Sequence, residues 1–318
     1  MKVFEAKPFN KYFLNGCFKH QLLTIIDSYN LNTNIYLLNN TFTLENKNNE
    51  IKPITLYFSK YKDIYKKVGI KVLYKRSKCK NNIKYLINNL NNNNKVIIVA
   101  VDCYNLKYRK DLYHKIHSFH YILIYGYSKD KFYVVDQNYI NSVIYIKKMV
   151  SFTEIDEAIN GYINTYKHNN ETIFYVVNKI SKSAYFDMNS FYLNIKKKKN
   201  KLNNGMKLLS LKFNEIKDIL LNETKLKENI NQIIKLIMVL RGNAESFKFM
   251  AMILKNKELS ELLNELVNNY TFTFAILCKY EMSKKYNSLS IKSCINKLDE
   301  IYLKERKALK ICYASVKS

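Results

Sequence analysis

The chain has no tryptophan, and only six glycines and two prolines in 318 residues. Its six cysteines, at 17, 79, 103, 278, 294 and 312, form no CxxC pair and no Cys/His pattern with zinc-ligand spacing. That spacing excludes a zinc ribbon or finger and argues against a disulfide framework. No stretch reaches the roughly 18 consecutive apolar residues that a membrane-spanning helix needs, so no membrane span is expected. The first residues, MKVFEAKPFNKYF, lack the continuous apolar core of a secretory signal. The expected compartment is therefore a reducing cytoplasm, where each thiol either fills the core or is reactive.

Negative charge is scarce too: 26 acidic residues face 53 basic ones, for a formal charge of +27. The lysines are spread along the chain, and the heavy use of Asn, Lys, Ile and Tyr matches AT-rich coding. The charge therefore permits an acidic partner without pointing to nucleic acid, which would call for a localised patch. A 47% apolar content over this length supports a folded protein of one large domain or two ordinary ones.

Residues 117–136, HSFHYILIYGYSKDKFYVVD, alternate apolar and aromatic positions on both sides of Ser128-Lys129-Asp130 and predict an antiparallel hairpin. His120 opens its first strand and Asp136 closes its second, so pairing brings both to one end. A histidine beside a carboxylate is a general base with an orienting partner. Upstream, Asn15-Gly16 is a turn signal, and CFKHQLLTIIDSYN after it has helical spacing of Phe18, Leu22, Ile25, Ile26 and Tyr29. Cys17 thus falls on the first turn of a helix, where unpaired N–H groups and the dipole favour a thiolate. The bland alternative is a small apolar residue filling the helix-turn junction. His20 is a competing base, three residues along the same helix.

Between these parts, the spacing predicts a hairpin over Asn34–Leu44 turning at Asn39-Asn40. It also predicts helices near Ser59–Val68 and Asn81–Leu90, a strand at Gly69–Tyr74, and a buried strand at Lys95–Asp102. Cys103 reads as packing. The following loop is crowded with Tyr104, Tyr108, Tyr113, His114 and His117, of which Tyr104 and His117 are candidate substrate contacts. A strand near Val143–Ile146, a helix from Ser151-Phe152-Thr153-Glu154 to about Gly161 and a strand within Glu171–Asn178 complete this half. The run KKKKN at 196–200 reads as a solvated linker. Beyond Leu202, residues 225–240, 244–266 and 295–314 have helical periodicity.

A cysteine on the first turn of an early helix, followed by a histidine and an aspartate on later strands, is the order used by papain-like cysteine enzymes. The array NGC at 15–17, VDCYNL at 101–106, HSFHYILIYGY at 117–127 and YVVD at 133–136 resembles the butirosin biosynthesis protein H family. The N-terminal domain of that family is papain-like and related to bacteriocin-leader-processing cysteine peptidases. The resemblance implies a papain-like domain built on an antiparallel sheet over 1–180, and with the helical periodicity beyond Leu202, which gives an all-helical domain over 200–318, the expected fold class is α+β. It implies acyl transfer from a phosphopantetheine thioester on an acidic carrier protein to an amine or similar small-molecule or peptide acceptor. Cys17 would be the nucleophile, His120 the base and Asp136 the orienting acid, with no metal and no resident cofactor. The related peptidases place a Gln shortly before the cysteine, and KYFLNG at 11–16 has none, so Asn15 and the Cys17 N–H are the candidate oxyanion donors. A cysteine peptidase or amide hydrolase, and a noncatalytic basic binding protein, are the alternatives.

Overall fold

The computed structural model describes residues 4–10, 16–48, 50–76, 79–91, 95–139, 142, 144–166, 172–185 and 187–315. The fold is α+β, with antiparallel sheets in the N-terminal region followed by a helical C-terminal region. It parts into two compact units, Met1–Tyr36 with Ser59–Tyr185, and Leu37–Phe58 with Phe186–Ser318. The border is not a single cut near residues 180–200, because the segment 37–58 goes with the helices.

In the first unit, α1 (Cys17–Ser28) buries Leu22, Leu23, Ile25 and Ile26 completely. Each such side chain is worth about 1.5–3 kcal/mol of transfer free energy. Beyond α2 (Thr33–Leu37), this unit holds α3 (Tyr61–Val68), β3 (Ile70–Lys75), α4 (Asn82–Leu90), β4 (Lys95–Asp102), β5 (Phe119–Tyr127) and β6 (Lys131–Gln137). It continues with β7 (Tyr145–Ser151), α5 (Phe152–Thr165) and β8 (Phe174–Lys179). The six strands form one antiparallel sheet in the order β3-β8-β4-β5-β6-β7. β4 is central and buried from Val96 to Asp102, as its unbroken apolar run requires. The Ser151 side chain accepts the Glu154 N–H to cap α5, which runs four residues past Gly161. The predicted strand start at Val143 lies outside the described residues.

The second unit contains β1 (Asn40–Lys47), β2 (Glu50–Tyr57), α6 (Asn189–Lys197), α7 (Lys199–Leu220), α8 (Glu223–Ile253), α9 (Lys257–Ser283) and α10 (Ser288–Ala314). Three expectations are corrected here. The hairpin is β1–β2, not Asn34–Leu44: Thr33–Leu37 is helical, and Asn40 pairs with Tyr57 rather than turning. Leu44 and Leu56 lie in the same apolar core as the helices, a long-range constraint that no local Asn-Asn signal reveals. The lysine run is not a linker, since α6 and α7 meet at Lys198 within it. The stretch 244–266 is broken between α8 and α9, where Lys255 takes a left-handed φ of 53° and Asn256 caps the next helix by accepting the Leu259 N–H. No helix among the described residues is long and apolar enough to cross a membrane.

Candidate active site

Gly16 precedes α1 with φ 120°, a conformation that a residue with a Cβ rarely adopts, and no side chain caps the helix start. The sequence therefore delivers Cys17 on an uncapped first turn, where orphan N–H groups are at hand. The thiol is partly exposed and hydrogen-bonds the side chain of His120. Burial pushes the thiol up, but it is outweighed by the charge of His120, that hydrogen bond, and the backbone N–H groups of Tyr121 and Phe18. Cys17 is held below the ordinary thiol value.

His120 sits on β5 opposite Val101 of β4. Between β5 and β6 the pairs are Leu123 with Val135 and Ile124 with Val134, and a bulge precedes Gly126 with Tyr133. Carrying that register one step further puts Asp136 opposite Ile122 and diagonal to His120. The imidazole spans the diagonal, its Nε2 lying 2.6 Å from Asp136 Oδ1. This leaves Nδ1 for the sulfur. Burial opposes the charged imidazolium, but Asp136 and Cys17 together hold His120 up at about 10. Both shifts run toward a thiolate–imidazolium pair, with Asp136 as its counter-charge.

Asp136 is fully buried, and its carboxylate is well partnered. Oδ1 also accepts the Gln137 N–H at 2.6 Å, and Oδ2 accepts the Tyr108 hydroxyl at 2.8 Å. Arg109 Nη1 stands 3.8 Å from Oδ2. The same guanidinium, itself buried, donates Nε and Nη2 to the two carboxylate oxygens of Asp111, at 3.1 and 2.9 Å. Charges alternate along Cys17, His120, Asp136, Arg109 and Asp111, so each buried charge has an opposite neighbour. Sequence reasoning missed Arg109 and Gln21 and left Tyr108 among a crowd of loop tyrosines. A usable signal existed for Arg109: it is one of four arginines among 53 basic residues, and only Arg offers a bidentate fork.

Gln21, one turn after Cys17, is fully buried and donates Nε2 to the carbonyls of Val135 at 3.0 Å and Tyr121 at 3.3 Å. This ties the helix bearing the thiol to both strands bearing its partners. His20 is buried, stacks on Tyr145 at 4.6 Å and faces the Gly16 carbonyl at 3.4 Å, whereas the imidazole that hydrogen-bonds the thiol is that of His120.

Tyr104 and His117 lie together, stacked at 4.2 Å. His117 Nδ1 is 2.6 Å from Asp102 Oδ2, and Asp102 also accepts the N–H groups of Tyr104 and Ser118, each at 3.0 Å. Cys103 is buried and accepts from Arg109 Nη1 at 3.6 Å. Its thiol is pushed far up by burial and by Asp136, which leaves it inert. Asn15 lies outside the described residues. Of the two candidate oxyanion donors, the Cys17 N–H is the one within them.

No curated protein searched matches the chain. Residues 38–137 match the family model for the N-terminal region of butirosin biosynthesis protein H, a region that includes β1 to β6, His120 and Asp136 and ends before reaching back to Cys17. That stretch is therefore similar to a biosynthetic protein's N-terminal domain, in the same family that the VDCYNL and HSFHYILIYGY motifs resemble.

Proposed function

We propose that the protein is a papain-like cysteine acyltransferase of a secondary-metabolite or peptide biosynthetic route. The observation that carries this reading is one imidazole hydrogen-bonded to both the Cys17 thiol and the Asp136 carboxylate. The Cys17 thiolate attacks the carbonyl carbon of an acyl thioester, forming a C–S bond. The departing phosphopantetheine thiolate takes its proton from the His120 imidazolium, which becomes neutral. An amine then attacks the acyl-Cys17 carbonyl. His120 accepts the proton that the amine sheds as the amide forms, Cys17 leaves as thiolate, and the ion pair is restored. Asp136 keeps the imidazole oriented through both halves. The Cys17 N–H is the donor proposed for the oxyanion, with Asn15 proposed as the second.

The donor is proposed to ride on an acyl carrier protein, because carriers are usually acidic and a chain of charge +27 attracts an acidic surface. Tyr104 and His117 are proposed to meet the substrate, and the cytoplasm is the proposed compartment. Intact mass spectrometry after mixing with acyl-loaded carrier protein tests the reading. The expected result is one acyl mass added, absent in Cys17→Ala and discharged by an amine as the amide. Discharge to free acid at an unchanged rate with or without amine assigns a hydrolase instead. No adduct from any acyl carrier on folded protein removes the acyl-transfer reading.

A further inference from the structure

The second unit holds a cavity of about 60 Å³ between β1 and the helices α7, α8 and α10. At roughly 10–15 Å³ for each water-sized volume, this is room for about four to six non-hydrogen atoms. Its wall is mostly aliphatic and aromatic, with Leu202, Leu209, Phe247 and Leu309 among the lining residues. Two of its walls, β1 and α7, approach each other closely. Gly205 of α7 sits so near Thr43 of β1 that an added Cβ would fall 1.8 Å from the threonine Oγ1.

One side chain on that wall is ionisable, Glu305 of α10. Its carboxylate accepts the Tyr270 hydroxyl at 3.1 Å, a neutral donor from a fully buried side chain of α9. No lysine, arginine or histidine among the described residues pairs with it. The surrounding carboxylates differ: Glu258 pairs with Lys307, Glu265 with Lys304, and Glu300 with Lys297. In a chain with twice as many cations as anions, the acid that faces the cavity is left with an uncharged partner. A carboxylate among apolar walls is costly unless a cation compensates it.

We propose that this cavity binds the ammonium group of a short aliphatic amine, with Glu305 as its counter-ion and the leucine and phenylalanine wall enclosing the alkyl part. Tyr270 fixes the carboxylate through one oxygen and leaves the other for the ammonium, and Thr43 offers a second acceptor on the wall. The volume sets the scale of the ligand at about that of n-butylamine. Burial raises the Glu305 carboxyl to about 7, so a bound ammonium also displaces a proton at mildly acidic pH. The site stands independently of the Cys17 chemistry.

Ligand-observed NMR titration of the full chain at pH 8, in phosphate rather than an amine buffer, tests the proposal with n-butylamine, 1-butanol and butyrate. The expected order on the native protein is butylamine at least tenfold tighter than butanol, with butyrate weakest. Glu305→Gln is expected to weaken butylamine at least tenfold and to leave butanol within about twofold. Ala244→Leu, which fills the cavity, is expected to weaken all three and covers the case in which Glu305→Gln fails to fold. Equal binding of amine and alcohol, tighter binding of butyrate, an unchanged affinity in folded Glu305→Gln or in Ala244→Leu, or no binding by folded native protein would each overturn it.

Discussion

Two histidine–carboxylate pairs stand at the same end of the sheet, where β4 and β6 end and β5 begins. Both are 2.6 Å long, and both carboxylates are fully buried. What differs is the far side of each imidazole. His120 is enclosed, 8% exposed as a side chain, and touches a thiol; His117 is 50% exposed and stacks on a tyrosine. Asp102 also serves the backbone of its own loop, accepting two N–H groups and holding the turn after β4. A short His–Asp hydrogen bond is thus not by itself a catalytic signature; the signature is the nucleophile on the second ring nitrogen.

The largest contrast comes from removing each ring. His120→Ala is expected to slow iodoacetamide labelling of Cys17 at neutral pH by roughly 10²-fold or more, because the thiol loses the group that favours its thiolate. His117→Ala is expected to stay within about threefold of native. Labelling followed by intact mass checks both, and comparable losses in the two variants would erase the distinction between the pairs.

Removing each carboxylate sharpens the same comparison. Asp136→Ala leaves the Tyr108 hydroxyl without its acceptor, removes a counter-charge from Arg109 and unties the imidazole, so acyl transfer is expected to fall roughly 10²-fold. Asp102→Ala orphans the Tyr104 and Ser118 N–H groups, and the expected result is a loss of about 1–3 kcal/mol in chemical denaturation with Cys17 labelling little changed. A transfer rate that survives Asp136→Ala would demote the inner pair to a structural one.

A pH series separates the pairs by the charge on the inner one. His120 is raised from 6.5 to about 10, so the stability it contributes is fully present below pH 6.5 and is lost as pH climbs through about 10. The thiol is lowered, so labelling of Cys17 is expected to reach half its plateau below pH 9.0. In His120→Gln the labelling midpoint is expected to move up, and the alkaline loss of stability relative to native to disappear. A midpoint at or above 9.0 in native protein would contradict the ion pair.

Much of this site was legible before any coordinates. The 3.6-residue spacing after Asn15-Gly16 put Cys17 on a first turn, and the alternation in 117–136 put His120 and Asp136 at one end of a hairpin. Both are local signals. The diagonal offset between the two side chains was not legible, since it depends on a register that only the paired strands reveal. Nor was the seating of Arg109 beneath Asp136, because residues 103–118 follow a path set by tertiary contacts rather than by periodicity. The hairpin β1–β2 was misread for the same reason: it belongs to a core assembled from residues more than a hundred positions away.

Arg109→Lys gives the smallest effect and the most specific one. Lysine would keep the positive charge between Asp136 and Asp111 but cannot reproduce the two parallel donations to Asp111 or reach Cys103 Sγ at the same time. Arg109→Lys is therefore expected to cost about 1–2 kcal/mol of stability, within the range for lost charge-assisted hydrogen bonds. Its effect on acyl transfer should be modest, below about tenfold, because Asp136 still accepts from His120, Gln137 and Tyr108. Arg109→Met, which leaves the buried Asp136 and the half-buried Asp111 without their shared cation, is expected to cost about 3–5 kcal/mol. If the two substitutions destabilise the protein equally, the bare positive charge contributes nothing and the fork carries the whole effect; if neither does, the buried charge chain behind His120 is not what holds Asp136 in place.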